Sequence, residues 1–314
     1  MHINLIEQAR ESIQTFIKRT TLEYSQTLSQ HLDTNVFVKL ELFQKTGSFK
    51  VRGAFNKLLS LSDEERKRGV VAVSGGNHAQ AVAYASSVLD IESIILMPES
   101  TPRNYVEATL DYGAKVDLQP TIAAAFAEIK RFESEGRVFV HPFDDPLVMA
   151  GQGTVGLEIL EDLPETTDII VSIGGGGLAG GVATAVKAIK PEVRIWGVET
   201  IGADSMSQAI AAGRPKELPA ITSIAKTLGA PSVSTQTLTL AQEHLENVTV
   251  VSDEEAVQAL QFILERLKVL TEPAASCTLA AASRLKNQFK RDGNLVLILC
   301  GGNLSLNDLC LYTL

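Results

Sequence analysis

Short apolar runs alternate with amphipathic stretches along most of the chain. Ile6, Ala9, Ile13 and Ile17 recur at spacings of three and four, which predicts a helix over residues 4–18. Residues 35–40 (Asn-Val-Phe-Val-Lys-Leu) read as a strand. Val51, Ala54, Phe55, Leu58 and Leu59 then form one face of a second helix. From there the pattern is strict. Strands are predicted at 70–73, 94–97, 115–118 and 137–140, alternating with helices at 79–87, 106–112 and 122–132. Pro142, Pro146 and Gly151 break the rhythm, and a helix resumes near 154–162. Further strands fall at 168–173, 193–198, 247–251 and 295–299, with helices at 178–189, 252–267 and 274–288; residues 199–236 are less regular. Short apolar strands separated by helices predict an α/β fold with parallel sheets covered by helices.

The 314 residues, 45% hydrophobic and 21% charged, suit two such lobes. Net charge is −9, and the run Glu64-Glu65-Arg66-Lys67-Arg68 reads as a solvated helix face, so no nucleic-acid partner is expected. Cys277, Cys300 and Cys310 have neither metal-binding nor disulfide spacing, which fits a reducing compartment. The N-terminus lacks the basic-then-apolar form of a signal peptide, and no apolar stretch is long enough to span a membrane. A cytoplasmic protein is expected.

Three glycine-rich segments and one lysine hold the candidate chemistry. In Gly47-Ser48-Phe49-Lys50, Ser48 is the expected N-cap, which places Lys50 in the first helical turn. A desolvated lysine there loses charge more readily, and a neutral amine attacks carbonyls. Taken alone, Lys50 reads as one more surface lysine at a helix start, and the rest of the chain has to supply the reason to prefer the other reading. Gly174-Gly175-Gly176-Gly177-Leu178 joins a strand to a helix, a phosphate site in form. Glu199, following a strand about 20 residues later, keeps a nicotinamide-cofactor reading open. Ser74-Gly75-Gly76-Asn77-His78 offers a second anion pocket suited to a small carboxylate, or else a glycine turn with Asn77 as N-cap. His78 alone reads as structural. Cys300-Gly301-Gly302-Asn303 follows a buried strand, with Cys300 on its own a packing residue.

Together these segments resemble the fold-type II pyridoxal-phosphate enzymes, in particular the serine/threonine dehydratase and serine racemase group. The resemblance spans nearly the whole chain. It rests on Thr46 to Ala54, Ser74 to His78, His141 to Pro146 with Gly151-Gln152-Gly153-Thr154, the tetraglycine, and Cys300 to Asn303. It implies a tryptophan synthase β-like fold. The large cofactor-binding lobe would comprise residues 1–51 and 147–314, and the small lobe 52–146; the N-terminal elements join the large lobe so that Lys50 faces its glycine loop. The resemblance further implies that Lys50 carries pyridoxal 5′-phosphate as a Schiff base, with Phe49 packed beside it. Asn77 would bond the cofactor's 3′-oxygen, and Gly174 to Gly177 with the Leu178 amide would hold its phosphate. Cys300 would face the pyridine nitrogen. Ser74, Gly75, Asn77 and His78 would line the substrate-carboxylate pocket.

The reaction so implied is β-elimination of water from a hydroxy amino acid, giving a 2-oxo acid and ammonia. L-threonine and L-serine are the expected substrates. Serine racemase and 3-hydroxyaspartate dehydratase are the alternatives on this fold, and a nucleotide-binding α/β protein is the alternative of another class. Two departures bear on the choice. Racemases of the group have a serine where this chain has Gly75, and glycine cannot donate a proton. Phe143 replaces an asparagine of mammalian-type racemases. The apolar stretch 121–126, where a racemase-type chain offers an arginine, weighs against a second substrate carboxylate. Glu199, Ala203 and Ser205 resemble the group's cation site; a serine in place of an aspartate suits a monovalent ion such as potassium. A homodimer is the group's common state.

Overall fold

The computed structural model describes residues 1–313. Its ten strands are β1 Leu22–Tyr24, β2 Asn35–Lys39, β3 Val70–Val73, β4 Ser93–Pro98, β5 Lys115–Gln119, β6 Val138–Phe139, β7 Asp168–Ser172, β8 Arg194–Thr200, β9 Asn247–Val251 and β10 Asn294–Ile298. They form a six-stranded sheet, ordered β1-β2-β10-β7-β8-β9, and a four-stranded sheet, ordered β5-β4-β3-β6. Every neighbouring pair is parallel except β1 with β2. All residues of β3 and β7 are buried, as expected when helices cover both faces of a sheet. The α/β architecture expected from sequence is therefore present. No helix among the described residues is long and apolar enough to cross a membrane.

The helix Lys50–Leu59 links the two sheets. Val51, Ala54, Phe55 and Leu58 pack into the same core as Val70, Ala72, Ile95 and Val148. Its start is tied to the other sheet, since the Phe49 N–H donates to the Cys300 carbonyl at 3.1 Å, just past β10.

Several boundaries differ from those read in the sequence. The first helix runs Ile3–Ile13 and stops short of residue 18. Ser48 is not the N-cap of the lysine helix: it is extended, pairs with Gly301, and its buried hydroxyl has no partner among the described residues, while Phe49 occupies the cap position. Pro146 starts a helix where a break was expected. That helix runs Pro146–Asp162, with the Asp145 carboxylate accepting from the Leu147 and Val148 amides. A proline at the first helical position removes an N–H that has no intrahelical partner anyway. Strand β1 and the helices Gln26–Leu32, Ser205–Ala212 and Leu306–Thr313 left no periodic signal strong enough to read. They are short, and elements of one or two turns are marginal on local propensity alone.

Candidate active site

The glycine-rich segments follow β3, β7 and β10, so they gather at the carboxyl ends of parallel strands, where ligands of α/β sheets bind. The segments after β3 and β10 are joined directly to each other, and the latter to the stretch before Lys50. The Gly302 N–H donates to the Gly47 carbonyl at 3.0 Å, opposite the Phe49–Cys300 bond. Asn303 Nδ2 donates to the Thr46 carbonyl at 2.7 Å and to Asn77 Oδ1 at 2.8 Å. Thr46 and Gly47 both have positive φ, 62° and 71°, which turns the chain sharply into the lysine helix. A side chain on Gly47 would collide with Asn303.

Lys50 is half-buried, and its Nζ donates to the Pro142 carbonyl at 2.7 Å. Desolvation pushes its ammonium down to about 8, against the opposing pull of Glu272. Phe49 is buried, its ring centroid 5.2 Å from the lysine amine. Cys300 is buried, with Sγ 3.7 Å from the Ala274 carbonyl, and burial holds the thiol neutral, well above its ordinary value. Phe49, Leu178 and Cys300 share one core cluster.

Gly174 to Gly177 lead into the helix Gly177–Ile189, whose start has no side-chain cap. The glycines fit tight surroundings. Gly176 has φ 92°, a side chain on Gly174 would press on Leu228, and one on Gly175 or Gly177 would strike Phe143. The backbone thus reaches the helix start with no side chain of its own in the way, an anion site by geometry and dipole. Ser74 Oγ accepts from the Gly76 N–H at 3.1 Å, and the helix Asn77–Val88 also begins without a side-chain cap. Asn77 is the first helical residue, not the N-cap. His78 is buried with Nε2 2.9 Å from the Val140 carbonyl, and burial pushes it down to about 3, so it stays neutral. That bonding is what a structural histidine shows.

Glu199, Ala203 and Ser205 lie together beside the glycine loop. The Glu199 carboxylate accepts the Met206 and Ser207 amides, each at 2.8 Å, so it caps the helix Ser205–Ala212. Its carboxyl is pushed up to about 7, chiefly by burial. The Ser205 hydroxyl is buried and has no hydrogen-bond partner among the described residues. Met206 reaches from this group to Gly176. Among the described residues no group of three or more His, Cys, Asp or Glu could hold a metal ion.

Glu272 was not singled out in the sequence, yet it is central here. It is buried, and its Oε1 accepts from Asn77 Nδ2 at 2.8 Å and Thr227 Oγ1 at 3.1 Å, while Oε2 has no partner among the described residues. Burial pushes its carboxyl up to about 7. The one local signal was an acid directly before Pro273 at a helix start. Thr227 and Leu228 come from the stretch read as irregular, which folds over Gly76 and Gly174.

The residues present fit an aldehyde-bearing phosphate ester. An amine with lowered basicity, an uncapped glycine-lined helix start and a neutral thiol are the groups it needs, and Phe49, Leu178 and Cys300 bring their segments into one core cluster. A family model described as pyridoxal-phosphate dependent enzyme matches residues 13–301. The L-threonine ammonia-lyase of Thermotoga maritima is 40% identical over 304 residues, covering 96% of this chain and 75% of that protein. The solved structure of maize serine racemase superposes with a TM-score of 0.94 at 37% identity, covering 99% of this chain and 96% of that one. The processed form of threonine deaminase isoform 2 from Solanum lycopersicum gives a TM-score of 0.94 at 32% identity, covering 99% and 86%.

Proposed function

The chain belongs to the pyridoxal-phosphate dependent enzyme family, and from that premise we propose that it is a hydroxy amino acid ammonia-lyase, converting L-threonine to 2-oxobutanoate and L-serine to pyruvate with release of ammonia. The observation that carries this reading is the Lys50 amine, lowered to about 8, whose neighbour Phe49 shares a core cluster with Leu178 of the uncapped glycine-lined helix start. Lys50 would hold the cofactor's aldehyde, the amides of Gly174 to Leu178 its phosphate, Asn77 its 3′-oxygen and Cys300 its ring nitrogen. Bound there, pyridoxal phosphate supplies an electron sink for the pair left at Cα when the Cα–H bond breaks.

With its basicity lowered this far, roughly a tenth of Lys50 is neutral at pH 7, so it can take up the Cα proton without prior loss of its own. Glu272 and Asn303 fix the Asn77 amide from both ends. The segment Ser74 to Gly76, at the start of the helix Asn77–Val88, orients the substrate carboxylate. The substrate loses its Cα–H and Cβ–OH bonds as water, and a second water releases the nitrogen as ammonia.

Gly75 supports elimination over racemisation, because no side chain at that position can return a proton to the far face of Cα. A monovalent cation such as potassium beside Glu199, Ala203 and Ser205 belongs to the same proposal, supported by the unpartnered Ser205 hydroxyl. So do a homodimer and a cytoplasmic location, the latter supported by three free cysteines. The large lobe of residues 1–51 and 147–314 and the small lobe of 52–146 are likewise part of it, supported by the division of the strands between two sheets.

The test is 2-oxo acid release from a panel of hydroxy amino acids. L-threonine and L-serine are expected to react, Lys50→Ala to lose at least about a hundredfold, and D-serine to form from L-serine far more slowly than pyruvate. No 2-oxo acid from any member of the panel would overturn the reading.

A further inference from the structure

Strands β3 and β4 run side by side in parallel, Val73 opposite Leu96, so the loops that follow them emerge together. The first is Ser74 to Gly76. The second contains Thr101, whose N–H donates to the Pro98 carbonyl at 2.9 Å. Within this pair of loops the hydroxyls differ. Ser74 Oγ is engaged by the Gly76 amide, whereas Thr101 Oγ1 is buried and has no hydrogen-bond partner among the described residues. Thr101 Oγ1 also lies 2.7 Å from the point where a Cβ on residue 75 would stand, with Pro98 Cδ at 3.4 Å. The space that a side chain at position 75 would enter is therefore already edged by the threonine hydroxyl.

A buried hydroxyl that makes no bond keeps its desolvation cost until an acceptor arrives. A carboxylate brings acceptors only, and the adjoining helix start favours negative charge. We infer that Thr101 donates its hydroxyl to the carboxylate of the bound amino acid, so that the pocket takes from position 101 the side-chain donor that Gly75 does not supply. This rests on the amino acid reading of the site given above. Thr101 thereby touches substrate but transfers no proton to Cα, for which an ordinary hydroxyl is too weak an acid. A serine at position 75 and the threonine at 101 compete for the same space, and Thr101 would have to turn away to admit it.

The experiment compares Thr101→Val, which keeps the shape and removes the hydroxyl, with Thr101→Ser, which keeps the hydroxyl. Binding to the pyridoxal-phosphate-loaded protein is titrated with L-alanine, which has no β-leaving group, and with L-alaninol, which lacks the carboxylate. Thr101→Val is expected to weaken L-alanine about tenfold or more, as for loss of a hydrogen bond to a charged group. L-alaninol should change less than about threefold, and Thr101→Ser should recover L-alanine binding to within about threefold. Equal weakening of both ligands, or of neither, would overturn the assignment. Because L-alanine is not consumed, these titrations read Thr101 even if no 2-oxo acid is ever released, so the two readings fail separately.

Discussion

Glu272, which is buried, and Lys50, which is half-buried, are ionisable residues whose titration the site shifts from its ordinary range. For Glu272 this sets a stability–pH dependence with a definite sign. In the unfolded chain its carboxyl loses its proton at about 4.3, whereas in the folded protein burial holds the proton up to about 7. Between those values the native state binds more protons than the unfolded one, so stability from this group falls as pH rises and is level above the folded value. Glu272→Gln removes that penalty. In urea denaturation of the cofactor-free protein the variant is expected to exceed the wild type at pH 8 by more than about 1 kcal/mol, and to match it near or below about pH 4. A variant less stable at both values would contradict the assigned protonation. At this scale the sequence was legible where the meaning of a residue is local. Lys50 stood out because a Gly-Ser turn precedes it and an apolar face follows. Glu272 did not, because its meaning depends on Asn77, 195 residues away in sequence.

The helix crossings beside the site are made through glycines. Gly53 of the lysine helix and Gly151 of the helix Pro146–Asp162 face one another across backbone, and Gly153 meets Gly181 of the helix Gly177–Ile189 in the same way. These close crossings set the lysine helix and the phosphate-loop helix against a common partner. They also explain why Gly151 was misread as a break: a glycine lowers helix propensity in any window, and only the neighbouring backbone shows why it is there. Pro146 misled for a related reason, since a proline ends one helix and begins another with equal ease. By contrast β3, β7 and β10 were legible almost to the residue, because strands buried on both faces are written as unbroken apolar runs. Gly181→Ala would bring a methyl group within 2.8 Å of the Gly153 nitrogen. The expected cost is about 1–3 kcal/mol of stability in chemical denaturation, the usual range for overpacking. A neutral outcome would mean that the crossing relaxes freely.

Across the whole molecule, a buried ionic network ties the lysine helix to the six-stranded sheet. Arg52, fully buried, donates to both oxygens of Glu41 at 2.8 Å and to both oxygens of Glu158 at 2.7 and 2.9 Å. Lys39 of β2, also fully buried, donates to Glu158 at 2.6 Å. The Glu158 carboxyl stays below its ordinary value, as burial, which would raise it, is outweighed by Arg52 and Lys39. Two cations and two anions balance, and removing one leaves a buried charge unpaired. Arg52→Met is therefore expected to cost about 3–5 kcal/mol in denaturant unfolding; a loss under 1 kcal/mol would show the network to be dispensable. The pairing of β2 has a consequence for how the molecule is made. Its neighbours are β1 and β10, and Asn35 and Asn294, which are bonded across that pair, lie 259 residues apart. On a ribosome adding 5–20 residues per second, roughly ten to fifty seconds separate the synthesis of the two. The four-stranded sheet, whose strands lie between residues 70 and 139, is complete in sequence long before then. The reactive lysine is thus among the first functional residues to emerge and among the last to be seated, and a nascent chain gains its chemistry only when its final strand arrives.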